Sequence, residues 1–137
     1  MRPHDLIGAA ASCAADMRYA EDAPAAALFT IVNERHTLGL ALAELVLAEV
    51  GWRPIWIGEG PPADELPALI TKFAPRLALV SASAVSRPSA VSLYQAPLMR
   101  AAAAAGIGLI LAGGGAWKDA AGATRVVAFK ELREVLT

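Results

Sequence analysis

The stretch 26–57, AALFTIVNERHTLGLALAELVLAEVGWRPIWI, decides the fold. Its first seven residues, 26–32, form an apolar run of β type with no alternation of polar positions, as a strand covered on both faces requires. A polar loop, Asn33-Glu34-Arg35-His36, leads into 37–50, where Leu38, Leu42, Leu45 and Val46 recur at helical spacing, Thr37 is positioned to cap the start and Gly51 to stop the end. The β pattern resumes at 53–57. Strand, helix and strand in so short a span are the sequence form of a parallel βαβ unit.

Working outward, the same alternation continues. Further strands are expected at 77–81 (LALVS), 107–112 (IGLILA) and 124–129 (TRVVAF). A second helix is expected to begin at Pro61 and Pro62, with Asp64 and Glu65 in its first turn, and to run to about Phe73. Ser89 is placed to cap a third helix ending before Gly106, in which Pro97 predicts a kink or a late start. Residues 116–121 offer at most a short helix, and 130–136 a terminal one. Residues 1–25 read as an alanine-rich helical extension with a linker around Pro24, and 26–137 as the single domain.

This series of elements predicts an α/β fold with a flavodoxin-like, doubly wound, five-stranded parallel sheet of order 2-1-3-4-5, a Rossmann-like arrangement. Right-handed crossovers place the strand-to-helix loops on one edge, where ligands bind in such sheets. The loops to inspect are 33–37, 58–62, 81–89 and 113–117.

Composition narrows the partners. The 137 residues hold 12 Lys plus Arg against 13 Asp plus Glu, a net charge of −1, so no broad positive field is available to gather nucleic acid. The longest apolar runs are interrupted well before the roughly 18–20 residues that a bilayer requires. The first residues lack a secretory pattern, and the single cysteine, Cys13, excludes an internal disulfide framework, so the expected location is the cytoplasm.

On the ligand edge stands His36, the only histidine outside the N-terminal tail. Imidazole is the commonest protein ligand of transition metals, and Glu34 is near enough in the chain to fix its tautomer. Glu34 reads equally well as a solvated loop charge. Ser81-Ala82-Ser83-Ala84 ends the third strand with small residues and hydroxyls, and Gly113-Gly114-Gly115 follows the fourth with exposed backbone or a plain turn. Trp117, close after the glycines, is a candidate neighbour of a planar ligand, whereas Trp52 and Trp56 read as core or interface. No catalytic apparatus is visible.

The succession Glu34-Arg35-His36-Thr37-Leu38-Gly39, about 41 residues, Ser81-Ala82-Ser83, about 29 residues, and Gly113-Gly114 resembles the cobalamin-binding domain pattern Asp-x-His-x-x-Gly, Ser-x-Leu, Gly-Gly. The resemblance covers residues 26 to 136. It is closest to the regulatory branch of MerR-type light-responsive transcription factors and photosynthesis antirepressors, whose second strand leads into a segment similar to Gly58-Glu59-Gly60-Pro61-Pro62.

The resemblance implies that cobalamin is held with its dimethylbenzimidazole tail detached, His36 taking its place as the lower axial ligand and Glu34 orienting it. Gly39 then makes room for the tail, Ser81 meets the displaced nucleotide, and Gly113 and Gly114 flank its channel. The implied cofactor-binding set is completed by Arg35, Thr37, Leu38, Ser83, Gly115 and Trp117. Two departures stand out: glutamate replaces the family's aspartate, and Ser83 stands where leucine is usual, which implies a remodelled tail pocket. No stretch of the sequence corresponds to the family's four-helix upper cover.

The leading expectation is therefore a cobalamin-binding sensor that signals to a protein partner, a transcription factor or signalling protein, with the adenosyl-, methyl- or hydroxo- form of the cofactor open. Two alternatives are a cobalamin-carrying subunit of a corrinoid methyltransferase or mutase, and a haem sensor on the same fold. A nonbinding interaction domain is the plainest reading.

Overall fold

The computed structural model describes residues 23–31, 38–58 and 60–137. In it the apolar runs form five strands, β1 Ala25–Thr30, β2 Arg53–Gly58, β3 Leu77–Ser81, β4 Gly108–Ala112 and β5 Thr124–Val126. All pair in parallel, in the order β2-β1-β3-β4-β5. This is the flavodoxin-like, doubly wound sheet expected from the sequence.

Successive strand residues point to opposite faces, which explains why the central strands are apolar throughout. Leu28, Leu79 and Ile110 enter one core layer with Leu40, Leu47 and Leu132. Phe29, Val80 and Leu111 enter the other with Leu66, Ile70 and Leu98. Helices α1 (Leu38–Glu49) and α4 (Phe129–Leu136) cover the first face, and α2 (Leu66–Phe73) and α3 (Pro88–Ala105) the second. Each leucine or phenylalanine fully buried in these layers contributes about 1.5–3 kcal/mol relative to exposure.

The outer strands differ from the centre. Every residue of β1 and β3 is buried, whereas β2 is half-exposed along its length. The Arg53 N–H donates to the Pro24 carbonyl at 2.8 Å. Alternation then turns the amide position of Pro54 outward, where a residue without an N–H leaves the sheet edge short of a donor. Trp56 lies on this edge, 37% exposed, rather than in the core; Trp52 packs partly buried against the α1 and α4 layer.

Several element ends depart from the sequence expectation for local reasons. The second helix opens with a single 3-10 turn, Ala63–Glu65, before α2. α3 begins at Pro88, so Ser89 lies inside it; proline's fixed φ and missing N–H suit the first helical position. The helix runs without interruption through Pro97. Leu93, whose carbonyl Pro97 cannot serve, is exposed. Ile107 is excluded from β4 because its N–H completes the end of α3 on the Ala102 carbonyl. β5 stops at Val126, and the Ala128 N–H donates to Glu131 Oε1 at 3.1 Å, starting α4 at Phe129. Residues 116–120 form no helix.

No described helix is long and apolar enough to cross a membrane.

Candidate functional site

Parallel strands joined by helices bring the C-terminal ends of β1 to β5 to one edge. Ser81, the last residue of β3, pairs with Thr30 of β1 on one side and Ala112 of β4 on the other. It shares the parity of Leu77 and Leu79, so its side chain belongs to the face covered by α1 and α4.

A cavity of about 80 Å³ opens there. Gly39, Leu40 and Ala43 bound it on the α1 side, the strand ends Ser81 and Ala112 with Gly113 at its base, and Val127, Ala128 and Leu132 on the α4 side. A Cβ placed on Gly39 would meet nothing within 4 Å, so this flank of α1 has room for a side chain. Ser81 is the one side chain of the described lining that carries a polar atom.

The glycine run is shaped by its neighbours. Gly113 has φ 91°, which favours glycine, and its N–H donates to the Val126 carbonyl at 3.0 Å. The Gly115 N–H donates to the Ala82 carbonyl at 2.9 Å, and a Cβ there would stand 2.7 Å from Ala82 Cβ. Gly114, between them, is exposed and has ordinary room.

Three candidates from the sequence, Gly39, Ser81 and Gly113, thus meet at one cavity. Others do not. Ser83 lies beyond the strand, where its Oγ accepts the Val85 N–H at 3.3 Å and its carbonyl accepts the Ser86 N–H at 3.1 Å in the turn leading to α3. Trp117 is buried at 3% exposure in the core on the opposite face of the sheet, and its indole N–H donates to the Ala112 carbonyl at 2.9 Å. It braces the glycine turn from behind instead of facing the cavity. Glu34, Arg35, His36 and Thr37 lie outside the described residues, as does the side chain of Leu38. Among the described residues no group of three or more His, Cys, Asp or Glu is placed to hold a metal ion.

The loops of this edge are fastened by side chains that no sequence motif marks. Thr30, fully buried at the end of β1, accepts the Gly60 N–H at 2.9 Å. Tyr94 of α3 donates to the Pro61 carbonyl at 2.7 Å, and burial holds its phenol above the ordinary tyrosine pKa. Gln95 binds the backbone of Lys118. Helical and strand periodicity does indicate that Gly39 and Ala43 share a helix flank and that Leu79 and Ser81 share a sheet face. It does not indicate that the two surfaces oppose each other.

A second concavity, of about 460 Å³, adjoins the end of β1 at Ile31 and is bordered by Val85 and Leu93, which are 76% and 78% exposed.

No protein-family model matches this sequence. Nor does any curated protein. Solved structures do share its fold. A chain of the methanol:cobalamin methyltransferase complex of Methanosarcina barkeri matches with TM-score 0.60 and 17% identity, over 83% of this chain and 52% of that one. A cobalamin-binding protein of Desulfitobacterium hafniense DCB-2 matches with TM-score 0.57 and 18% identity, over 83% of this chain and 57% of that one. The monomethylamine corrinoid protein of Methanosarcina barkeri matches with TM-score 0.65 and 16% identity, over 97% of this chain and 61% of that one. The present chain thus spans between about half and three fifths of the chains it matches. These likenesses, with the strand order, define a flavodoxin-like α/β protein with a small apolar cavity beneath its strand ends.

Proposed function

We propose that this chain is a cobalamin-binding module that holds the corrinoid with its tail detached, the tail entering the cavity between α1, α4 and the sheet. The observation that carries the reading is the meeting of Gly39, Ser81 and Gly113 at that cavity. These are three of the residues on which the resemblance to cobalamin-binding domains rests, and 74 positions separate the first from the last. The names of the three structural neighbours supply independent support.

The described lining suits the group in its chemistry. A detached dimethylbenzimidazole is an apolar arene, and among the described residues the wall offered to it is apolar with one hydroxyl. About 80 Å³ is the share of only two or three water molecules, at roughly 30 Å³ each. The slot must therefore widen by separation of α1 from α4. These helices are joined on the outside by an ion pair, Arg133 to Glu49 at 2.6 Å, between side chains that are 56% and 44% exposed. That pair adds only about 0–1 kcal/mol, so the resistance to separation lies in the packing of Leu40, Leu47 and Leu132 in the core layer beneath it.

In this reading His36 supplies the imidazole to cobalt and Glu34 is the carboxylate available to orient it. Gly39 and Ser81 receive the tail, Gly113 forms the end of its channel, and Val85 and Leu93 offer apolar surface beside the ligand edge. When bound, cobalamin supplies a cobalt centre that can hold and release a methyl group. The chain's part is to bind and orient the cofactor and present it to a protein partner. A neighbour within a methyltransferase complex and another that is a monomethylamine corrinoid protein favour this carrier role over light-dependent regulation. A haem has no tail to place in the slot, which favours cobalamin over haem.

Titration of the apo-protein with hydroxocobalamin, followed by absorption, tests the reading. A base-off, histidine-ligated spectrum is expected, lost in His36→Ala; an unchanged spectrum in that variant would remove the assignment. Titration with haem in parallel should give no comparable uptake. Illumination of the protein loaded with adenosylcobalamin should leave its oligomeric state unchanged if it is a carrier, whereas a light-driven change in assembly would restore the regulatory role.

A further inference from the structure

Helix α1 is apolar round its whole circumference, with Glu44 and Glu49 as its two polar residues. A helix of that composition needs cover on every side. The sheet covers one of them, where Leu40, Ala43, Val46 and Leu47 fill the core layer. Ala41, Leu45 and Ala48 recur at i, i+4 and i+7 on the side turned away from that layer. Ala41 is nevertheless fully buried without belonging to either core layer, and Leu45 and Ala48 are half-buried. Glu44, at the border of this stripe, has its carboxyl pushed up by burial.

The chain enters the fold at the foot of the stripe. The Trp52 N–H closes the end of α1 on the Leu47 carbonyl at 2.9 Å, and the next amide, that of Arg53, donates to the Pro24 carbonyl at 2.8 Å. Pro24 therefore stands beside the last turn of α1. Ahead of Ala23 lie 22 residues, in which Leu6, Ala10, Cys13 and Met17 recur at i, i+4, i+7 and i+11, with Asp5, Asp16 and Arg18 off that line. At about 1.5 Å per helical residue, 6–17 match the 12 residues of α1 in length, and 18–22 remain to turn into β1. Alanines on both stripes allow a close approach of the two axes.

We propose that residues 6–17 pack as a helix along α1, on the stripe formed by Ala41, Leu45 and Ala48. This docking is independent of what the ligand edge binds. So short a helix is marginal by itself in water, so its order depends on the apolar contact and not on its own propensity. Protection of its amides from hydrogen exchange consequently reports the contact.

The experiment follows hydrogen exchange by mass spectrometry in the full 137-residue chain, alongside its mass by light scattering, for the unmodified protein, Leu45→Lys and Met17→Lys. Lysine is a good helix former, so neither substitution loosens a helix that touches nothing. The expected result is a protected 6–17 in the unmodified chain and exchange there at least tenfold faster in both variants, with β1 and β3 as slow as before and the mass that of a monomer. Where Leu45→Lys also loosens the sheet, Met17→Lys, outside the sheet and its core layers, decides. Unprotected amides at 6–17 in the unmodified chain overturn the proposal, as does protection that survives either substitution in a folded chain. Protection that rises with protein concentration, together with a dimer mass, overturns it in favour of a second copy on the same stripe.

Discussion

Gln95 grips Lys118 through both ends of its amide: Nε2 donates to the Lys118 carbonyl at 2.7 Å, and Oε1 accepts the Lys118 N–H at 2.9 Å. Gln95 is buried on α3, so this pair fastens the segment that follows the glycine turn to the body of the fold. Gln95→Leu removes both bonds at nearly constant volume. It should lower stability by about 2–3 kcal/mol. Limited proteolysis should then cut faster within 116–123, and an unaltered cleavage rate there would contradict this role.

Gly113 and Gly114 should respond oppositely to alanine. At Gly113 a methyl group would overlap the Ala82 carbonyl, and the backbone has φ 91°. Gly113→Ala should cost about 2–4 kcal/mol from strain and overlap together, read as a lower urea midpoint at constant slope. At Gly114 the added methyl would meet only Ala84, at 3.6 Å. Gly114→Ala should leave the midpoint almost unchanged.

Gly39 separates folding from binding. Its added Cβ would meet nothing, and it lies within the first turn of α1, so Gly39→Ala should stabilise the protein by about 0.5–1 kcal/mol. Gly39→Phe should retain the unfolding temperature while filling the cavity and weakening cobalamin uptake at least tenfold, about 1.4 kcal/mol or more. Undiminished uptake by a folded Gly39→Phe protein would exclude the cavity as the tail site.

Burial raises the Tyr94 phenol above its ordinary pKa, so the unfolded chain loses this proton at a lower pH than the native protein does. The contribution of Tyr94 to stability is therefore complete below the unfolded value of about 10, and is lost as pH rises through the higher native value. Tyr94→Phe should lower stability at neutral pH by about 1 kcal/mol through loss of the bond to Pro61. It should also flatten the decline between pH 10 and 12, measured by chemical denaturation; an equally steep decline would contradict the prediction.

Burial likewise raises the pKa of the Glu44 carboxyl, in a side chain that is partly open to water. A carboxylate that is harder to ionise in the native state disfavours folding once ionised. Glu44→Gln should therefore raise the unfolding temperature at pH 7, by an amount reduced by solvent screening, and the gain should vanish as pH falls below about 4.5.

Residues 26–57 carry the fold openly, because a strand covered on both faces must be apolar throughout and a helix beside it must show its own period. The end of β5 was not legible. VVAF continues the β pattern at 126–129, and the bonds from the Ala128 N–H to Glu131 and from the Leu132 N–H to the Ala128 carbonyl start α4 at Phe129. Trp117 was equally opaque: its position after a glycine run suggests a ligand neighbour, yet its indole turns into the opposite core to reach the Ala112 carbonyl. Thr30, Tyr94 and Gln95 bind loops 23 to 33 positions away, and no local pattern encodes such distances.

Sequence alone determined the order of the elements, the parallel sheet and the spacing of Gly39, Ser81 and Gly113, because period and turn chemistry are local properties of the chain. Tertiary structure decided that these three residues border one cavity and that Ser83 does not. Which side chains face each other depends on strand register and on the packing of α1 and α4 against the sheet, and both are settled only when distant segments meet.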